Sequence, residues 1–170
     1  MRLLEGVVEV DDLDSFVAEL GAIGDAHDCA VQAFDARYVA GREHLASALA
    51  HAERAFERGE NVARERAVEI LLYAAGRRQI RRALEMGVEA GETPAVVLVA
   101  ADTGVRDPER AEAAAGNAVT EHLAPGGGFD ARDDERIRAF FDIGDAELAA
   151  TDAGLEALVR ERVALLDVEK

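Results

Sequence analysis

The run Ala95-Val96-Val97-Leu98-Val99-Ala100, introduced by Pro94, limits what this chain can fold into more than any other segment. An unbroken apolar run rich in β-branched residues has no polar face to offer water. It predicts a strand covered on both sides. Two further runs read as its partners: Gly6-Val7-Val8-Glu9-Val10, short and β-branched, and Cys29 to Asp35. The rest of the chain has helical spacing, so the sheet is small and the helices are many.

Asp11 or Asp12 offers an N-cap to a helix carrying Leu13, Phe16, Val17 and Leu20, ended by Gly21 and Gly24. Leu45, Ala48, Leu49, Ala52, Ala55 and Phe56 form one stripe of a helix predicted from about Glu43 to Arg58 and closed by Gly59. The next is predicted from about Val62 to Ala75, with Ala67, Ile70, Leu71, Ala74 and Ala75 buried and Gly76 at a left-handed cap. A short helix from Gln79 to Met86 is expected to turn Ile80, Ala83 and Leu84 inward. Asp107 and Pro108 start a helix clearly. Ile137, Phe140 and Phe141 mark another, Asp145 caps a short turn, and Leu155, Leu158, Val159, Leu165 and Leu166 lie along the last. There is no repeat and no dividing linker. The order predicts one α/β (α+β) domain over residues 1–170, with a small mixed sheet surrounded by about seven or eight helices.

Several chemistries find no support. Cys29 is alone, which excludes an intrachain disulfide or zinc framework. The N-terminus lacks a leader-like apolar region, and the longest apolar run, Ala95 to Ala101, is too short to span a bilayer. The chain therefore reads as cytoplasmic, with no membrane role. Gly126-Gly127-Gly128 lacks the Gly-Lys-Ser/Thr ending of a phosphate loop and reads as a plain flexible loop. His44 and His51 share a helix face but have no further ligands at metal-binding spacing, so they read as a solvated face. Carboxylate pairs such as Asp133-Asp134 arise by chance in a chain with 35 acids. No nucleophile elbow or Cys-His arrangement stands out. No enzyme, cofactor or metal is expected.

The 35 acidic and 19 basic residues give a net charge of -16, and Lys170 is the only Lys. Such an acidic, Arg-for-Lys chain resembles proteins of salt-loving archaea, where a Debye length of roughly 3 Å makes self-repulsion cheap. The total disfavours a generic nucleic-acid-binding domain. Its distribution says more. Residues 37 to 82 hold ten Arg against six acids, a balance of +4, which leaves -20 for the remainder. The densest cluster is Gly76-Arg77-Arg78-Gln79-Ile80-Arg81-Arg82. Arg78, Arg81 and Arg82 fall at i, i+3 and i+4 on a predicted helix, whose free N–H groups would add to an anion site. Arg binds phosphate planarly and stacks on bases. The competing reading is a solvated basic face paired with nearby Glu.

Glu69-Ile70-Leu71-Leu72-Tyr73-Ala74-Ala75-Gly76-Arg77-Arg78-Gln79-Ile80 resembles the signature of the Cgi/TPRKB family, a Glu, an apolar stretch, then Gly-x-Arg-Gln-Ile. The layout around it is similar over nearly the whole chain, while the segment Gly126 to Phe129 is less familiar. The resemblance implies the smallest, kinase-binding subunit of the KEOPS complex, which makes threonylcarbamoyladenosine (t6A) on tRNA. It implies a non-catalytic role. The chemistry belongs to a Kae-type transferase helped by a PRPK/Bud-type kinase, and this subunit binds the kinase and the 3′ CCA end of tRNA. Arg77, Arg78, Arg81 and Arg82 are the cations that fit such a tail, with Gln79 beside them and Ile80 and Tyr73 as apolar neighbours. Helix burial is the alternative for those two. Leu155, Leu158, Leu165 and Leu166 are the candidate kinase-facing stripe, with core packing as their alternative. A pure protein-interaction subunit without tRNA binding is the second function carried forward.

Overall fold

A computed structural model describes residues 1–169. It is α+β, with a three-stranded sheet and, among the described residues, eight α-helices. Its internal contacts divide into two compact units, residues 1–36 with 88–131 and residues 37–87 with 132–170.

The first unit holds the sheet. Strands β1 (Arg2–Val10), β2 (Cys29–Asp35) and β3 (Gly91–Ala101) stand in the order β1-β3-β2. Both pairings are antiparallel, so the expected mixed sheet is corrected. Helix α1 (Leu13–His27) carries the chain from β1 over to β2 and leaves a gap between them. The most apolar strand fills that gap, running against both neighbours. Val96 and Leu98 on one face of β3 and Ala95, Val97 and Val99 on the other are all buried. The second set packs with Phe16 and Leu20 of α1 and with Ala115 and Val119 of α5 (Pro108–Thr120).

Helix α1 does not end at Gly21 or Gly24. Asp12 caps its start, accepting from the Ser15 N–H. The helix continues to Asp28, whose left-handed backbone (φ 53°) returns its N–H to the Gly24 carbonyl. Gly24 serves close approach instead, because a Cβ there would lie 2.5 Å from the Cys29 carbonyl oxygen. The triple glycine is likewise no flexible loop. Val7 faces Pro94, which has no N–H to give, and turns its own N–H and C=O outward to Ala124 at 2.9 and 2.8 Å. The chain then lies against β1. A Cβ on Gly127 (φ 65°) would sit 2.6 Å from the Gly6 carbonyl oxygen, and the Phe129 N–H donates to Glu5 Oε1 at 2.8 Å.

The second unit is helical: α2 (Arg42–Arg58), α3 (Arg66–Ala75), α4 (Ile80–Ala83), α6 (Asp134–Phe141), α7 (Asp145–Ala149) and α8 (Gly154–Glu169). Helix α3 is its centre, with every residue from Glu69 to Ala75 buried, as an all-round apolar helix requires. It starts four residues later than the apolar spacing predicts. The buried Glu69 carboxylate reaches back to accept the Val62 N–H at 3.1 Å and the Ala63 N–H at 2.7 Å. Those donors are therefore taken by a side chain, and the segment before Arg66 stays a loop.

The expectation of a solvated histidine face is also corrected. His44 is fully buried in α2: Nδ1 accepts the Ala40 N–H at 3.1 Å and Nε2 donates to the Ala74 carbonyl at 2.8 Å. Only a neutral ring can do both. Burial pushes its pKa from 6.5 down to about 4, against a smaller upward pull from the Ala74 carbonyl. Between those values the unfolded chain binds a proton that the folded chain refuses. Stability is then full above about pH 6.5 and falls by about 1.4 kcal/mol per pH unit on acidification, until His44 protonates in the fold. Equilibrium denaturation from about pH 5 to 6.5 should show this slope flattened in His44→Gln relative to the parent.

Candidate functional site

Charge is divided between the units. The first carries 17 acidic against 3 basic residues, a net of -14; the second carries 18 against 16, a net of -2. All ten Arg of the basic segment belong to the second unit.

The densest cluster begins where α3 ends. Gly76 takes the left-handed conformation (φ 60°), and a Cβ there would press within 3.3 Å of the Arg162 carbonyl oxygen. The Arg77 side chain turns back into the unit. It donates to the Phe140 carbonyl, and its guanidinium lies 5.0 Å from the Phe140 ring centre. Burial, followed by the nearby Arg82 charge, lowers its pKa from the ordinary Arg value. Arg77 thus pins α6. Arg78 is exposed and donates to the Glu169 carbonyl at 2.6 Å.

The helix after it is a single turn, α4, followed by a tighter turn over Leu84–Met86. Arg78 precedes α4, so the expected three-arginine helix face is corrected to Arg81 and Arg82 alone. One turn has no dipole worth the name, and the Gln79 carbonyl already takes the Arg82 and Ala83 N–H groups at 3.1 Å. The expected backbone anion site is therefore withdrawn. Ala83 and Met86 are the buried residues of this turn. Ile80 and Leu84, expected inward, are 46% and 56% exposed. Gln79, Arg81 and Arg82 are exposed as well. Arg82 lies 3.5 Å from Glu85, an exposed pair worth little. Among the described residues, Arg81 has no carboxylate within ion-pair distance.

Tyr73 is not part of this surface. It is fully buried, and its hydroxyl donates to Asp167 Oδ1 at 2.5 Å. Burial and then the Asp167 bond raise its pKa, which keeps the phenol protonated. Asp167 Oδ2 sits 2.5 Å from Nδ1 of His51, whose ring stacks on Tyr73. This trio joins α2, α3 and α8. The terminal stripe divides in the same way. Leu155, Leu158 and Leu166 are core residues of the helical unit, and Leu165 alone is exposed. Val168, one turn further, is the most exposed large apolar residue described. Sequence reasoning missed both Val168 and Leu84. The signal that marks Val168 is its spacing of three from Leu165.

Arg162 anchors the other side of α8. Its guanidinium meets both carboxylate oxygens of Glu147 at 2.8 Å, and donates to the Phe141 and Asp142 carbonyls. Among the described residues, no cluster of His, Cys, Asp and Glu could hold a metal ion, and no helix is long and apolar enough to cross a membrane.

A family model described as kinase binding protein CGI-121 matches residues 8–167 and so runs through both units. No curated protein matches the chain.

Proposed function

The chain belongs to the kinase binding protein CGI-121 family, and we propose on that footing that it is the non-catalytic accessory subunit of a KEOPS complex. In this reading it binds the PRPK/Bud-type kinase, serves the Kae-type transferase through it, and holds the 3′ CCA end of tRNA. One observation carries the tRNA part. Ile80 stands exposed between Arg78, Arg81 and Arg82, in the one basic stretch of a chain of net charge -16. Single-stranded RNA needs this combination of an apolar surface for bases and cations for phosphates. The family match along both units supports a single functional domain. The exposed Leu165 and Val168 support α8 as a kinase-facing element, while its other leucines hold the helix to its own unit.

A second reading follows from the partners already present. Arg77 is spent on Phe140, Arg78 meets the Glu169 carbonyl and Arg82 meets Glu85. If these satisfy the cluster, the protein is an interaction subunit only. Separate titrations with the kinase and with tRNA at a fixed, stated salt concentration decide between them. The proposed function predicts binding to both. Binding to the kinase with no affinity for tRNA leaves the interaction-only reading.

A further inference from the structure

We infer that Leu84 is a second base-contacting residue of the RNA site, forming with Ile80 an aliphatic platform on which unpaired bases of a 3′ tail pack. This rests on the tRNA reading above. Ile80 opens α4 and the Leu84 N–H closes onto the Ile80 carbonyl, which places Leu84 one helical turn above it. Ala83 and Met86 are buried, which holds the turn to its unit and leaves Ile80 and Leu84 outside. Two large aliphatic side chains, each about half exposed, are then adjacent on a one-turn helix. Nothing in a fold of this size needs such a pair exposed for stability.

The chemistry around the pair selects its occupant. Arg81 lies on the same turn without a carboxylate partner among the described residues, and Arg82 and Arg78 flank it. A strongly acidic chain that keeps cations beside exposed aliphatics presents a surface complementary to a polyanion with apolar faces. Unpaired nucleotides have that character, whereas a duplex hides its base faces. Among the described residues, the exposed large apolar side chains are aliphatic; Tyr73, Phe140 and Phe141 are buried. Base faces therefore meet branched aliphatic carbon here, not an aromatic ring.

The test uses a hairpin RNA with a short unpaired 3′ tail, the same hairpin with a blunt end, and the full chain as parent, Leu84→Ala, Leu84→Met and Arg81→Gln. Leu84→Ala should weaken binding of the tailed hairpin roughly five- to tenfold and leave the blunt hairpin unchanged. It should leave the slope of log affinity against log salt as it was, because no phosphate contact is lost. Arg81→Gln should instead lower that slope by roughly 0.7, the single-strand value for one phosphate. Leu84→Met, which keeps the aliphatic surface, should bind like the parent. Equal affinity of Leu84→Ala and parent for the tailed hairpin, with Arg81→Gln weakened, overturns the role of Leu84 and spares the RNA reading. A parent that binds neither hairpin overturns both. Loss of kinase affinity in Leu84→Ala with RNA binding intact assigns the platform to the kinase and also overturns the inference.

Discussion

Replacing Ile80 and Arg81 together by Glu is expected to cut tRNA affinity by roughly a hundredfold or more while leaving the protein folded. The argument has two parts. Ile80→Glu puts a charge where the reading needs apolar surface for a base face, and a base–side-chain contact of this kind is worth roughly 1–3 kcal/mol. Arg81→Glu removes one cation and adds one anion beside the phosphates, so both the attraction and its salt dependence fall. The fold has little at stake. Both side chains are exposed, and Arg81 has no carboxylate partner among the described residues. Surface changes of this kind usually fall within about 0.5 kcal/mol. Fluorescence anisotropy with labelled tRNA, paired with a thermal melt of the same sample, checks both halves. A double variant that binds like the parent removes the patch from the RNA site.

The largest expected effect on stability lies at Glu69. Glu69→Ala takes the acceptor away from the Val62 and Ala63 N–H groups, which face a carboxylate that is itself fully buried. A hydrogen bond to a charged group is worth roughly 1.5–3 kcal/mol, and a buried donor left without an acceptor bears its desolvation cost. Removing the charge also relieves the cost of burying it, so two such bonds do not simply add. The net expectation is a loss of about 3 kcal/mol, a fall in thermal midpoint of roughly 6–12 °C for a chain of this length. Glu69→Gln keeps an acceptor oxygen and should lose less. Urea denaturation of the parent and the two variants measures the order. A parent-like Glu69→Ala would mean that the loop before α3 is held by something other than this carboxylate.

Glu69 also illustrates which parts of the fold were legible in the sequence. Short-range rules read well. Asp107 with Pro108 begins a helix, Gly59 and Gly76 end two, and Cys29–Asp35 is a strand over its full predicted length. The apolar run of β3 announces a strand buried on both faces. What failed was decided by partners far along the chain. Apolar spacing starts α3 at Val62, but Glu69 reaches back and takes the donors a helix would use. Gly21 and Gly24 look like stops, yet Gly24 is small because the chain after the helix passes close over it. His44 looks solvated when paired with His51 at a spacing of seven. Its spacing of four from Ala48 and of eight from Ala52 puts it on the buried stripe instead.

The site divides the same way. Charge counting along the chain found the basic stretch, because charge is a property of composition. It could not sort the cluster, because that sorting follows from burial. Arg77 turns inward onto Phe140 and Tyr73 onto Asp167, whereas Ile80 and Leu84 turn out because α4 lasts one turn rather than two. Periodicity presumes a helix long enough to have a face. Along α8 it marks Leu155, Leu158, Leu165 and Leu166 as one group, but cannot say which of them meets its own unit and which meets solvent.

The central claim is that an acidic, kinase-binding subunit holds tRNA locally, through the segment from Arg78 to Leu84. Its most direct test is to titrate the protein with one tRNA in two forms, intact and lacking the 3′ CCA, at the same salt concentration. The account predicts clear binding of the intact form and a large loss when the three unpaired nucleotides are removed. Equal affinity for the two forms would contradict it.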